Sequence, residues 1–413
     1  MTAVNRAEFA LGSPEAHRIQ VDAEAAVALA RELVRVRSVR PESGGAGEAE
    51  AAQLVADVMR GFGWEPEVTE VAPGRPNVIA TLAGGGGPGP LLALEGHLDV
   101  VTEGDLSEWS VDPFEGVVRS GRLYGRGAAD MKAGLAAMLH GARALQRAGP
   151  FPGSLRLLVL SDEEGMMLGA KRAVADGALS GVSGVIVCEP EGGEICPTSK
   201  GAIRVRVDFT GRMAHGAMPQ EGASPIPALA ALVMEVSRLQ ARLQADHPEH
   251  PTLGRPFLTP TVIEAGDMNQ MNVSPSHAVL ALDIRTIPGI DHSRLLSELA
   301  GICAAAAADA GVEAGIMVLD DRPPVDTPRQ DPLVVALARA HAEETGEPAR
   351  FGGVPGTTDG TIFSRDAGVP SVVYGPGGKW IAHRADEFVE IAEIPRYARV
   401  YARAAQLFLS GPG

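Results

Sequence analysis

Apolar positions recur every three to four residues over residues 21–36 and again over 48–62, the spacing of helices with one buried face. Residues 77–82 and 91–95 switch to short β-type runs, joined by a Gly-rich stretch at 83–90. Neither a Lys-Ser/Thr pair nor a helix follows that stretch, so it predicts a hairpin loop and not a phosphate cradle. Residues 131–148, rich in Ala, Leu and Met, predict a helix. Residues 155–161 and 184–188 are unbroken apolar runs of the kind buried on both faces of a parallel sheet. Strand and helix therefore alternate, which is the α/β pattern.

The rhythm changes after Lys200. Residues 202–210 alternate apolar and charged side chains and predict a half-exposed strand. A helix at 227–244, strands at 259–265 and 278–286, a helix at 292–310 and a strand at 313–319 follow. That order, β-α-β-β-α-β, is a split ferredoxin-like module. From Asp331 the helix-strand pattern resumes, with a buried strand at 370–375 and a closing helix at 394–409. The expected architecture is an α/β domain built from residues 1–199 and 323–413, with residues 200–322 inserted as a separate domain. The strands at 202–210 and 278–286 are expected at the edges of that module, where open strands invite pairing with a second copy.

Composition narrows the partners. The 413-residue chain is 45% apolar and 21% charged, enough for a sizeable core and against global disorder. A net charge of −16 with only 4% aromatic residues disfavours phosphate backbones and anionic membranes, so neither nucleic acid nor a membrane is expected as a partner. The first twenty residues hold no apolar signal-peptide core, and no run is long enough to span a bilayer. Cys188, Cys196 and Cys303 are odd in number and far apart, which fits neither a disulfide framework nor a Cys-based zinc site. A soluble, cytoplasmic protein is expected.

Candidate chemistry sits where the apolar runs stop. His97 and Asp99 close the 91–95 run with i, i+2 spacing, which places them on one strand face. Asp130 stands just ahead of the 131–148 helix, Asp162-Glu163-Glu164 follow the 155–161 run, Glu189 follows Cys188, and His383 lies beyond 370–375. Each has an ordinary reading alone: Asp130 as a helix cap, the acidic triplet as a solvated helix start, Glu189 as a turn residue before Pro190. Together they form a set of imidazoles and carboxylates at strand ends, where open parallel sheets gather ligands. Without thiolates, such a set suits zinc, cobalt or manganese.

In this arrangement the sequence resembles the co-catalytic zinc amidohydrolases of the M20 metallopeptidase group. That group includes acetylornithine deacetylase, succinyl-diaminopimelate desuccinylase, aminoacylase and glutamate carboxypeptidase. The resemblance spans residues 22 to 409. It rests on Gly96-His97-Leu98-Asp99-Val100-Val101, Trp109 with Asp112-Pro113-Phe114, and Gly125-Arg126-Gly127 through Asp130-Met131-Lys132. Asp162-Glu163-Glu164, Glu189-Pro190, Ala214-His215-Gly216 and Ala382-His383 complete it, in order.

The resemblance implies a zinc-peptidase-like α/β catalytic domain with a ferredoxin-like lid and dimerisation domain. It implies two divalent ions per chain, zinc first with cobalt or manganese as alternatives, bridged by Asp130. His97 and Glu189 would complete one ion's ligands, Glu164 and His383 the other's. Glu163 would be the general base for a bridging water, and Asp99 would orient His97 by accepting its other N–H. His215 would reach across a homodimer to the partner's site and stabilise the oxyanion. Asn272, Arg285, Gly356 and Thr357 resemble substrate contacts, although Arg285 equally suits a solvated cross-strand charge. The expected substrate is an N-acyl amino acid, with a short peptide or a catalytically silent scaffold as alternatives. Two departures bear on specificity. Thr361 stands where desuccinylases carry Arg, and Ser224-Pro225 replace the usual Asn-Ala beyond the lid histidine.

Overall fold

In the computed structural model, which describes residues 19–411, the apolar runs assemble into a six-stranded sheet. Its order is Glu67–Ala72, Arg75–Ala83, Ser154–Leu160, Leu91–His97, Val182–Val187, Ser371–Val373. The last four run parallel, and the first two add an antiparallel edge. Because strand side chains alternate, each run feeds two cores. Leu92, Leu94, Leu155, Leu157 and Ile186 pack under helices Ala23–Arg35, Ala49–Gly61, Ala133–Ala148, Pro332–Thr345 and Glu393–Leu409. Ala93, Leu158, Leu160, Val185 and Val187 face Leu168–Ala175 and Gly360–Ala367 on the other side. Most of the N-terminal stretch read for a signal peptide lies outside the described residues.

The hairpin expected at 83–90 does not form. Strand Ser154–Leu160 inserts between the two strands that the loop connects. The glycines serve a close approach to the turn at Phe151–Gly153, exchanging backbone hydrogen bonds with it. A Cβ on Gly84 would lie 2.0 Å from the Phe151 carbonyl oxygen. Local chemistry read as a turn was thus selected for tertiary contact.

Residues 201–322 form the β-α-β-β-α-β module as expected. Its antiparallel sheet has the order Phe257–Ala265, His277–Thr286, Gly201–Thr210, Glu313–Arg322. Ile203, Val205, Val207 and Phe209 pack on Leu232 and Leu299 of helices Ile226–Asp246 and His292–Ala310. The strands expected at the edges are the two central ones, because the ferredoxin-like crossover places first and third strands side by side. The true edges expose apolar side chains: Val262 and Ile263 on one, Ile316, Met317, Val318 and Leu319 on the other. The chain enters and leaves the module together, with Thr198–Ser199 paired to Val325–Asp326.

Helix Ala133–Ala148 crosses the sheet so closely that a Cβ on Gly134 would lie 2.1 Å from the Cys188 carbonyl oxygen. Helix propensity favours alanine there by about 1 kcal/mol. Overpacking against backbone costs about 1–3 kcal/mol and acts in the opposite direction. Gly134→Ala is therefore expected to lower the urea midpoint, and a raised midpoint would show that the helix has room to shift.

Candidate active site

Strand Leu91–His97 has later chain segments on both sides, so the sheet opens into a crevice at its carboxyl end. His97 is the last residue of that strand, the acidic triplet follows Ser154–Leu160, and Glu189 lies just beyond Val182–Val187. Asp130 comes from a turn that leaves helical geometry (φ −117°, ψ 97°) before Ala133–Ala148. These scattered groups meet. Asp130 Oδ1 is 3.1 Å from His97 Nε2, and Asp130 Oδ2 is 3.3 Å from His383 Nε2. Glu189 Oε1 lies 3.9 Å from His97 Nε2, and Glu164 Oε1 lies 2.7 Å from His383 Nε2. One carboxylate thus faces two imidazoles, each with its own glutamate.

Burial and charge act against each other here. Burial would raise the Asp130 carboxyl, but hydrogen bonds from His383 and His97 hold it well below the usual carboxylate range. The same contacts to Asp130 and Glu164 push His383 up to about 11. Burial opposes a charged His97, yet Asp130 and the neighbouring Asp99 and Glu163 hold it well above the ordinary histidine value. Glu163 and Glu189 are driven well above theirs by burial. Glu189 Oε1 has no hydrogen-bond partner. Ligand-type atoms of His97, Asp130 and Glu164 lie within 4.8 Å of one another, as do those of His97, Glu163 and Glu189. Oxygen and imidazole donors gathered this tightly, one oxygen left unsatisfied, fit divalent cations.

Asp99 is placed differently from the expectation. His97 Nδ1 lies 3.0 Å from the Asp99 backbone carbonyl oxygen and 3.6 Å from its carboxylate. The carboxylate instead accepts the backbone N–H groups of Glu163 and Glu164, each at 3.0 Å. It anchors the turn that carries both glutamates.

A second network, which no local pattern announced, holds that turn from behind. Arg75 pairs with Glu48 at 2.8 Å and with Asp162 at 2.7 Å, all three buried. Asp162 (φ +68°) also accepts N–H groups from Met166 and Leu168. Arg126 and Glu387 form another buried pair, beneath Asp130 and His383. Asp162 and Arg126 stand in motifs quoted above, but no local signal marks Glu48, Arg75 or Glu387 as their partners. A polar cavity of about 460 Å³ opens beside His383, lined by Thr102, Glu103, Arg126 and Arg384 among others.

Comparison with known proteins agrees with this geometry. The profile of Peptidase family M20/M25/M40 matches residues 93–407. The chain belongs to that family. It is 32% identical over 404 residues to the succinyl-diaminopimelate desuccinylase of Methylobacterium radiotolerans, covering 94% of this chain and 98% of the relative. A probable succinyl-diaminopimelate desuccinylase of Staphylococcus epidermidis is 27% identical over 386 residues, covering 88% and 93%. The fold matches the aminopeptidase PepT structure from Bacillus cereus with a TM-score of 0.76 at 21% identity, covering 94% and 99%. As an M20 member the chain is a metal-dependent hydrolase of amide C–N bonds, with a candidate dinuclear site.

In this M20 chain the inserted-module candidates make no hydrogen bond to the cluster among the described residues. His215 and Asn272 lie together on a small ladder, Ala214–His215 against Val273–Ser274, with the Gly216 N–H donating to the Asn272 carbonyl at 2.7 Å. His215 is exposed, and its Nδ1 accepts the Ala217 N–H at 3.0 Å, so a neutral ring carries its proton on Nε2. Arg285 is held bidentate by Asp283 on its own strand, at 2.6 and 3.1 Å. Thr357 Oγ1 accepts from Arg322 at 3.3 Å, and Gly356 leaves open space around its Cα. Thr361 is buried. Among the described residues no helix is long and apolar enough to cross a membrane.

Arg75→Met tests the network behind the glutamates. It leaves Glu48 without its buried cation and Asp162 with only the longer Arg40 contact at 3.7 Å, a loss of about 3–5 kcal/mol when one partner of such a pair is removed. Denaturant unfolding at neutral pH should show that loss. Wild-type stability would mean that the cluster is already relieved by water.

Proposed function

We propose that the protein removes the acyl group from an N-acyl amino acid, or cleaves a closely related small amide, at a site of two divalent ions. The single observation that supports it most is Asp130, whose two carboxylate oxygens face separate imidazoles, each beside its own glutamate. On this reading His97, Glu189 and Asp130 hold one ion, and Asp130, Glu164 and His383 the other, with zinc the first choice and cobalt or manganese able to replace it. Such ions supply Lewis-acid polarisation of the amide carbonyl and charge for the oxyanion. Glu163, adjacent to Glu164, takes a proton from the attacking water and returns it to the departing nitrogen. Asp99 keeps that glutamate in place through the backbone. No covalent intermediate on a side chain is required.

Specificity follows from which cations remain uncommitted. The relatives named above are desuccinylases, whose acyl group carries a second carboxylate. Here Arg285 is engaged by Asp283, and the buried Thr361 offers no charge. These two positions supply no free cation for a second acyl carboxylate, which favours a plain acyl group such as acetyl over succinyl. The 200–322 domain serves as lid and dimerisation domain, its exposed apolar edges joining two copies, and a cytoplasmic setting suits the three free, buried cysteines. Asn272, Gly356 and Thr357 complete the substrate's contacts.

Metal removal is the first test. Chelation should abolish hydrolysis of N-acetyl amino acids, and zinc or cobalt should restore it. Glu163→Gln should retain both ions yet lose roughly 10²–10⁴-fold in kcat. Metals lost together with rate would make Glu163 a ligand. A panel of N-acetyl, N-succinyl and dipeptide substrates then ranks the candidates, and preference for a dipeptide would replace the deacylase reading.

The trans role of His215 has its own test. His215→Ala removes one oxyanion donor, a loss of ~10²–10³-fold in kcat. Mixed with Glu163→Gln under subunit exchange, it should regain activity, because one site of the heterodimer combines an intact base with the partner's histidine. Mixtures no better than their parents after verified exchange would rule this out.

A further inference from the structure

We infer that Arg126 and Glu387 form a clamp that sets the Asp130 bridge against the His383 loop, and thereby the ion on the Glu164–His383 side; the inference rests on the two-ion reading above. Glu387 is fully buried and Arg126 nearly so, at 0% and 2% exposure. Glu387 Oε1 accepts the backbone N–H groups of Ala129 at 2.9 Å and Asp130 at 3.1 Å. Its Oε2 pairs with Arg126 Nη1 at 2.5 Å. The same guanidinium donates to the carbonyls of His383 at 3.3 Å, Arg384 at 3.2 Å and Thr102 at 3.1 Å. It also stacks over the Trp109 ring at 5.2 Å. One ion pair therefore reaches the backbone of Asp130 on one side and of His383 on the other.

The two halves of the site depend on this clamp unequally. His97 ends a strand paired on both sides, and Glu189 follows closely after another, so the sheet's own ladder orients them. Asp130 and His383 have no ladder. Asp130 interrupts a helical turn, and His383 sits at φ +64°, a conformation that a non-glycine residue keeps only when its surroundings hold it. A planar fork is required for the grip, since arginine alone among cationic side chains can serve a carboxylate and several carbonyls at once. Neither residue touches the reacting atoms in this account. Both are positioning residues, a class whose loss typically weakens metal affinity by ~10–100-fold.

Zinc titration of chelator-stripped protein, in competition with a chromophoric chelator, reads this directly. The wild-type chain should take two equivalents. Glu387→Gln keeps an acceptor oxygen for the Ala129 and Asp130 N–H groups but loses its charge against Arg126. It should weaken one equivalent by ~10–100-fold and the other, which shares Asp130 but keeps the strand-end His97, by clearly less. Arg126→Lys, which keeps the charge and loses the fork, should do the same. His383→Ala should weaken that same equivalent, and adding Glu387→Gln to it should weaken that equivalent by less than the two single effects combined. A merely structural pair would lower the melting temperature of the stripped protein and affect both equivalents alike. Equal loss at both, wild-type affinity for both in a folded variant, or failure of both variants to fold would each overturn the clamp. A wild-type chain that takes no zinc overturns the two-ion reading itself, before any variant is compared.

Discussion

Mutual repulsion among carboxylates withdrawn from water governs this molecule. Glu95, Asp99, Asp162, Glu163 and Asp359 are buried at one edge of the central sheet, and the side chains of Asp130, Glu164 and Glu189 are nearly so. In water each would ionise independently, but in a low-dielectric edge each raises the cost of ionising the next. Burial and neighbouring charge drive Glu95, Glu163 and Glu189 upward together, and Asp359 rises to about 7. Only compact positive charge relieves such a cluster. On the two-ion reading, divalent ions held by neutral His97 and His383 would supply it.

The rest of the chain separates the carboxylates that must stay exposed to the crevice from those that only hold others. Arg75 neutralises Glu48 and Asp162, and Asp99 spends its oxygens on two backbone N–H groups. Among the described residues no ion pair engages Glu163, whose nearest basic neighbour is His97. The parallel strands give these anchors stiffness, because their ends cannot shift without breaking ladders on both sides. The loop that bears His383 has no such support and depends on side-chain contacts.

The inserted module follows a different logic. Its core is separate, built from Ile203 to Phe209 against two helices, and the chain enters and leaves it through the paired crossings at Thr198–Ser199 and Val325–Asp326. His215 and Asn272 meet at a small exposed ladder, and neither hydrogen-bonds to the cluster among the described residues. On the proposed reading, these exposed hydrogen-bonding groups would complete the site of a partner copy.

Much of this was legible along the chain. Helices fell within a few residues of their expected spans because burial of one face imposes a period that sequence carries directly. The imidazoles and acidic residues stood out because they interrupt apolar runs at strand ends. Strand order was not legible: the Gly-rich 83–90 segment looked like a hairpin, and only the insertion of Ser154–Leu160 shows that its glycines serve contact with Phe151. The module's edges were misplaced for a related reason, since alternation reports a two-sided strand but not which neighbours it acquires. Arg75 and Glu387 look like ordinary surface charges in sequence, and Arg126 stands in a quoted motif with no sign of its partner. Local pattern determined the elements and the residue types at their ends. Pairing across distant segments alone decided which charges face each other, because the free energy of a buried charge depends on its neighbours in space and not on those along the chain.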